Sequence, residues 1–150
     1  MNNVQDLAEY FQPMLEILST GQRAKLAKNI GRDLRKNQQK RITTQRNPDG
    51  SAYVPRRTRI REQKGKIKRK MFSKIKANAH LKLLSNSEAI AIGFIGRVNR
   101  IANVHQYGLK DRATKDAPET VYSKRELLGF SHEDIKLTEE SFLQHMKIKG

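Results

Sequence analysis

Between Arg41 and Arg57, RITTQRNPDGSAYVPRR, a long polar helical pattern stops and a strongly basic segment begins. No other stretch constrains the fold as much. Pro48 presets φ, Asp49 can accept a bond from the backbone ahead of it, and Gly50 can take a positive φ, so Asn47-Pro48-Asp49-Gly50 reads as a turn. Tyr53 and the Val54-Pro55 step predict an extended exit.

Before this junction the pattern is helical. Val4, Leu7, Ala8, Phe11, Met14, Leu15 and Leu18 fall at helical spacing and predict a helix over residues 3–18, with a kink or break expected at Pro13. Ser19 with Gln22 reads as a capping box opening a second helix, with Thr20 as the competing cap. That helix would carry Ala24, Ala27, Ile30, Leu34 and Ile42 on one side and run to about Gln45. Its apolar stripe is thin, because Asn37, Gln38 and Gln39 stand where a core helix would show Leu or Ile. Such a helix either projects from the body or packs on another subunit, and burial favours the second.

After the junction, residues 56–76 read RRTRIREQKGKIKRKMFSKIK, with Glu62 the only acid. A disordered loop, a basic helix after Gly65 and an edge hairpin are all compatible. Ile67, Met71, Phe72 and Ile75 favour a short amphipathic helix over 67–77, following a mobile loop. His80–Leu84 and Glu88–Ile95 flank Ser85-Asn86-Ser87 and predict a β-hairpin with Ile90, Ile92 and Phe94 on one face. Val98, Ile101, Ala102 and His105 give a short helix stopped at Gly108. Residues 109–120 read as a loop and Val121-Tyr122 as a short strand. Ser131 with Asp134 marks the start of a last helix using Ile135, Thr138, Phe142 and Met146. The fold class is α+β: long N-terminal helices over 3–45, a turn and basic loop over 46–66, and an α+β core over 67–147 with a small antiparallel hairpin and a C-terminal helix. A chain of 150 residues is expected to form one domain.

Composition then bounds the chemistry. Only 36% of residues are hydrophobic while 31% are charged, and 31 Lys+Arg against 15 Asp+Glu leave a net charge of +16. That excess suits a polyanion, an acidic protein or a DNA-rich compartment as neighbour, against the plain alternative of a solvated basic surface. Cysteine is absent, which removes disulfides and thiolate chemistry. His80, His105, His132 and His145 show no ligand spacing, and no nucleophile-elbow or glycine-rich phosphate loop is present. Clustered carboxylates for a Mg²⁺-dependent nuclease are lacking, so no catalytic residue, metal or cofactor is assigned and the protein is expected not to be an enzyme. No basic n-region with an apolar run opens the chain and no membrane-length apolar run follows; a soluble protein made in a cytoplasm is expected.

Candidate contact residues fall into two groups. Ile30, Leu34 and Gln38 on the second helix, with His105, Gln106, Tyr107 and Gly108, form a candidate subunit interface, since aromatics are favoured at interface centres. Arg56, Arg57, Arg59, Arg61, Lys64, Lys66, Lys68, Arg69 and Lys70 form a candidate basic surface for DNA or an acidic partner. Without interleaved aromatics or a recognised nucleic-acid motif, DNA contact there would be to phosphates, nonspecific and strongly salt-dependent.

Several blocks in fixed order resemble the phage virion morphogenesis family: Arg41–Gly50, Tyr53-Val54-Pro55-Arg56, Met71-Phe72, Gly93-Phe94, Ile101–Leu109 and Arg125-Glu126-Leu127-Leu128-Gly129-Phe130. Its best-known members are the tail completion proteins, protein S type, of contractile-tailed temperate phages. The resemblance implies a structural protein acting late in tail assembly, at the head-proximal end where a DNA-filled head joins. Tail and neck proteins would be its partners, and a homo-oligomer, such as a hexameric ring, its working form. It would act in the host cytoplasm and in the virion tail or neck. Arg125, Leu128 and Gly129 join the candidate interface on this ground, and Asn47, Pro48, Asp49 and Gly50 would set the direction in which the basic loop leaves the helix. The runner-up is a basic, nonspecific nucleic-acid-binding accessory protein.

Overall fold

The computed structural model describes residues 3–56, 70–112 and 114–149. Two helices lead. Helix α1 spans Val4–Ile17, with Asn3 as its N-cap accepting from the Asp6 amide at 2.8 Å. It runs through Pro13 without the expected break: Pro13 is solvent-exposed, where the carbonyl deprived of its donor can turn to water. Helix α2 spans Thr20–Thr43 and opens with the expected capping box, in which Ser19 and Gln22 each accept from the other's amide, a device worth about 1 kcal/mol.

The chain returns as an antiparallel hairpin, β1 Leu81–Ser85 with β2 Ile90–Phe94, in the register Leu81–Phe94, Leu83–Ile92 and Ser85–Ile90. Gly31 of α2 lets it approach closely: a Cβ there would come within 2.5 Å of Leu83 Cδ1. Helix α3, Val98–Tyr107, ends on Gly108 in the left-handed conformation, as its sequence predicts. A two-residue ribbon follows, β3 Lys110–Asp111 paired with β4 Thr120–Val121. Helix α4, His132–Lys149, closes the chain. The architecture is α+β, four helices with two small antiparallel sheets.

Two apolar clusters form the interior. Leu7, Phe11 and Leu18 of the N-terminal arm pack with Leu26, Ile30 and Leu34 of α2 and Ile135 and Phe142 of α4, and the Phe11 and Phe142 rings stack at 4.0 Å. The second cluster gathers Ile42, Tyr53, Met71, Leu81, Phe94, Ala102 and Leu127. Helix α2 feeds both, and its polar stretch lies at the joint. Asn37 Nδ2 and Gln38 Nε2 donate to the two oxygens of Asp134 at 2.6 and 2.9 Å, while Gln39 Nε2 donates to the Lys76 carbonyl and Asn78 Oδ1. These amides therefore fasten α2 to α4 and to the segment before β1 within one chain, where the sequence pointed to a second subunit.

Two further expectations change. Helix α2 ends at Thr43, two residues short of Gln45, because Gln45 adopts φ 59° and closes a Schellman-type cap: its amide bonds the Ile42 carbonyl and that of Arg46 the Arg41 carbonyl. The helix expected over 67–77 is not formed in its described part, where residues 70–80 are bends and turns. Phe72 has φ 68°, and the Met71 amide and carbonyl both bond the Gln45 side chain, which takes Met71 out of any helical ladder. Residues 67–69, and the loop expected before Gly65 from residue 57 on, lie outside the described residues.

Asp134 is fully buried and also accepts from the Ser131 amide and hydroxyl at 2.9 and 3.0 Å, so four donors converge on one carboxylate. Replacing it strands two interior amides. Asp134→Ala is therefore expected to destabilise the fold by about 3 kcal/mol or more, lowering the thermal midpoint by roughly 10 °C. Asp134→Asn should fall between, since it presents a donor to donors. A midpoint for Asp134→Ala equal to that of the wild type, read by circular dichroism, would contradict this.

Candidate functional site

The segment Arg125–Gly129 belongs to no helix or strand, yet its backbone is bonded almost throughout by side chains from elsewhere. The Arg125 amide donates to the His105 carbonyl at 2.7 Å and the Glu126 amide to Asn47 Oδ1 at 2.9 Å. Tyr53 Oη and Arg41 Nη1 donate to the Glu126 carbonyl, and Arg41 Nη2 to that of Leu127. Gln106 takes three places: its Oε1 accepts from the amides of Leu127 and Leu128 and its Nε2 donates to the Leu128 carbonyl. Gln38 Oε1 accepts from Arg41 Nη2 and from the Gly129 amide. A partly buried segment outside any helix or sheet leaves polar groups that must be satisfied, and here side chains do most of it.

Local sequence explains how these groups reach the strap. The turn predicted at Asn47–Gly50 is formed, with the Gly50 amide on the Asn47 carbonyl at 2.9 Å, Gly50 at φ 91° and the Ser51 amide on Asp49 Oδ1. It aims the Asn47 side chain back at Glu126 and lays Pro48 on Gly129, where an added Cβ would meet Pro48 Cγ at 2.6 Å. Gly129 is required for that approach.

Arg125 clamps the exit from the turn. Its guanidinium, in a buried residue, donates to the carbonyls of Val54 at 2.7 Å and Pro55 at 3.2 Å and approaches His105 Nδ1 at 3.2 Å. Arginine only donates, so Nδ1 is the acceptor and His105 carries its proton on Nε2. The imidazole stands in a row of rings, 4.8 Å from Phe72 and 5.1 Å from Tyr122. Burial, with the charges of Arg125 and Arg56, pushes its pKa down to about 4. Burial also lowers the Arg125 pKa, followed by the charge of Arg56.

The predicted interface residues thus divide. Ile30, Leu34 and Gln38 lie in the interior, at 6, 5 and 5% exposure, so the chain itself covers what the sequence offered as a contact face. Arg125 is buried, and His105, Gln106, Gly108, Leu128 and Gly129 are half-buried around the strap. Tyr107 alone among them is strongly exposed, at 66%. Of the basic group, Arg56 and Lys70 are exposed, whereas Arg57, Arg59, Arg61, Lys64, Lys66, Lys68 and Arg69 lie outside the described residues. Sequence reasoning missed the roles of Arg41, Gln45, Tyr53 and Asp134. Their signal was only that polar residues sat beside apolar ones at a helix end.

Among the described residues no group of three or more His, Cys, Asp or Glu could hold a metal, and no helix is long and apolar enough to cross a membrane. A groove of about 450 Å³ runs between α1, α2, the hairpin tip and Phe130. Its walls are mainly apolar, and Gln38, which reaches it, is already bonded to Asp134 and Arg41. It lacks the convergent polar groups of a small-molecule site.

The strap joins the separated sequence blocks that hold Arg41 and Asn47, Tyr53 and Val54, and His105 and Gln106, and the sequence profile of the phage virion morphogenesis family matches residues 2–147. The chain belongs to the phage virion morphogenesis family. It is similar to the tail completion protein S of Escherichia phage P2, with 35% identity over 149 residues, covering 98% of this chain and 99% of that protein. No solved structure matches.

The depressed His105 pKa fixes a sign for pH dependence. The unfolded chain takes a proton near pH 6.5 that the folded chain refuses until about pH 4. Stability from this site is therefore complete above pH 6.5 and is lost as the pH falls from there toward 4. Urea unfolding at pH 7, 6 and 5 should show the midpoint falling for wild type and falling less for His105→Gln. An equal fall in both would remove His105 as the cause.

Proposed function

We propose that this protein is a non-enzymatic structural component that finishes the head-proximal end of a phage tail so that a DNA-filled head can join. The observation that carries the reading is the 35% identity, over almost the whole of both chains, to a protein named for tail completion. The geometry is of the matching kind. The side chains most expected to do chemistry are bonded within the chain, His105 to the Arg125 guanidinium, Arg125 to backbone carbonyls and Asp134 to side-chain amides, as in a part whose task is to hold a shape.

Its partners are other tail and neck proteins, and it works as an oligomer, with a ring matched to tail symmetry as the arrangement. Assembly takes place in the host cytoplasm, and the protein stays at the tail or neck. With Ile30, Leu34 and Gln38 inside the fold, the contact surface is the outer end of α3 with the β3–β4 ribbon. Tyr107, Leu109 and Val121 are exposed there, and they stand on the rigid frame made by Gly108 and the strap.

A phage strain lacking this gene should accumulate unfinished tails and free filled heads, visible by electron microscopy, and recover with a plasmid copy. Normal infectious particles without the gene would end the proposal. Sedimentation across protein concentrations should show a defined oligomer for wild type. Tyr107→Ala should associate about thirtyfold more weakly, the equivalent of about 2 kcal/mol for an interface aromatic, with an unchanged melting curve. Tyr107→Ala protein that associates as tightly as wild type would remove this surface from the contact.

A further inference from the structure

We propose that the outer face of α2 is a docking surface for the phosphate backbone of double-stranded DNA. Lys25, Lys28, Arg32, Lys36 and Lys40 are all exposed, and their spacing of three, four, four and four residues sets them along one side of the helix. The face opposite holds Leu26, Ile30 and Leu34 against α1 and α4, and Gly31 turns toward the hairpin, so among the described residues no helix or strand covers the cationic side. Among the described residues none of the five is in an ion pair. The single acid of α2, Asp33, faces α4, where it accepts from the Ser141 hydroxyl.

Folding supplies no reason for this pattern. Like charges four residues apart cost a helix a few tenths of a kcal/mol per pair, and Lys28, Arg32, Lys36 and Lys40 form three such pairs in succession. A polyanion relieves that repulsion. From Lys25 to Lys40 the row extends about 22 Å at 1.5 Å per residue, the length of about six phosphate steps along one strand of a duplex. An acidic protein fits less well: protein interfaces are depleted in lysine and built round apolar or aromatic anchors, and this row has neither among its members. The basic surface also continues past the helix. Gln39 holds the Lys76 carbonyl at 2.8 Å, which places the segment bearing exposed Lys74 at the C-terminal end of the row.

This surface differs from the basic stretch that the sequence suggested, and it does not depend on the tail-completion reading. The test uses full-length protein and a fluorescently labelled duplex of about 25 base pairs, with affinity read by anisotropy across a salt series. The ridge variant carries Lys25→Gln, Lys28→Gln, Arg32→Gln, Lys36→Gln and Lys40→Gln, changes that keep helix propensity. A charge-matched control changes exposed Lys82, Arg97, Lys110, Lys115 and Lys136 to Gln. Wild type should bind with a steep salt slope. The ridge variant should bind at least tenfold more weakly at about 0.1 M salt, with a log–log slope shallower by about 4, whereas the control loses less than half as much. A ridge variant that binds like wild type, a control that loses as much as the ridge variant, or wild type that does not bind the duplex would each overturn the proposal. So would a ridge variant that fails to restore tails while binding DNA normally, which would assign the face to an acidic protein. Circular dichroism melts confirm that the variants are folded, and restoration of phage by the wild-type gene reads the tail role separately.

Discussion

One buried carboxylate decides how the two halves of this protein meet. Asp134 sits at the start of α4 with no lysine or arginine bonded to it among the described residues, and its carboxyl group is held by four hydrogen-bond donors. Two come from its own helix cap and two from consecutive amides of α2, so the same group ends one helix and positions another. Gln38 then passes the constraint on. While its Nε2 binds Asp134, its Oε1 accepts from Arg41 and from the Gly129 amide, and Arg41 in turn holds the carbonyls of Glu126 and Leu127. The strap is thereby fixed at its C-terminal end by the contact that fixes α2 to α4. A chain with a modest apolar content gains in this way a rigidity that two small cores would not supply.

The sequence was most legible where local chemistry is self-sufficient. The Ser19 capping box, the Asn47–Gly50 turn, the antiparallel hairpin around Ser85-Asn86-Ser87, and the stop at Gly108 each depend on neighbours in sequence, and each formed as read. Legibility failed where a distant partner overrode a local signal. Asn37, Gln38 and Gln39 looked like an interruption of an apolar stripe because their partners lie 96 or 97 residues away in Asp134 and 37 or 39 residues away in Lys76 and Asn78. Ile67, Met71, Phe72 and Ile75 have helical spacing, but Gln45 captures both polar groups of the Met71 backbone, and no periodicity argument detects that. Cap residues were sought as glycine, whereas Gln45 takes the left-handed position because its side chain has its own bonds to make.

The family blocks show the same division in the candidate site. Residues in Arg41–Gly50, Tyr53–Arg56, His105–Gly108 and Arg125–Gly129 are far apart in sequence, and their side chains meet on one five-residue strap. Reading each block alone yielded a turn, an extended exit and candidate contact residues. Of the candidate interface residues only Tyr107, which makes none of these bonds, is strongly exposed, so the residues around it in these blocks go mainly into the frame.

The placement of charge carries the last step. Arg41 and Arg125 have their guanidinium groups bound to backbone carbonyls in the interior, where arginine's planar fork can satisfy several acceptors at once. The cations of the α2 outer face are mostly lysines, in water, on the side of the helix away from both cores. These are two different uses of positive charge: the inward guanidiniums complete the fold, and the outward cations of α2 oppose it through mutual repulsion. The cations described on α2 and the strap therefore divide into those bonded within the fold and those for which the proposed partner is an external anion. Duplex DNA supplies an anion of the required charge density.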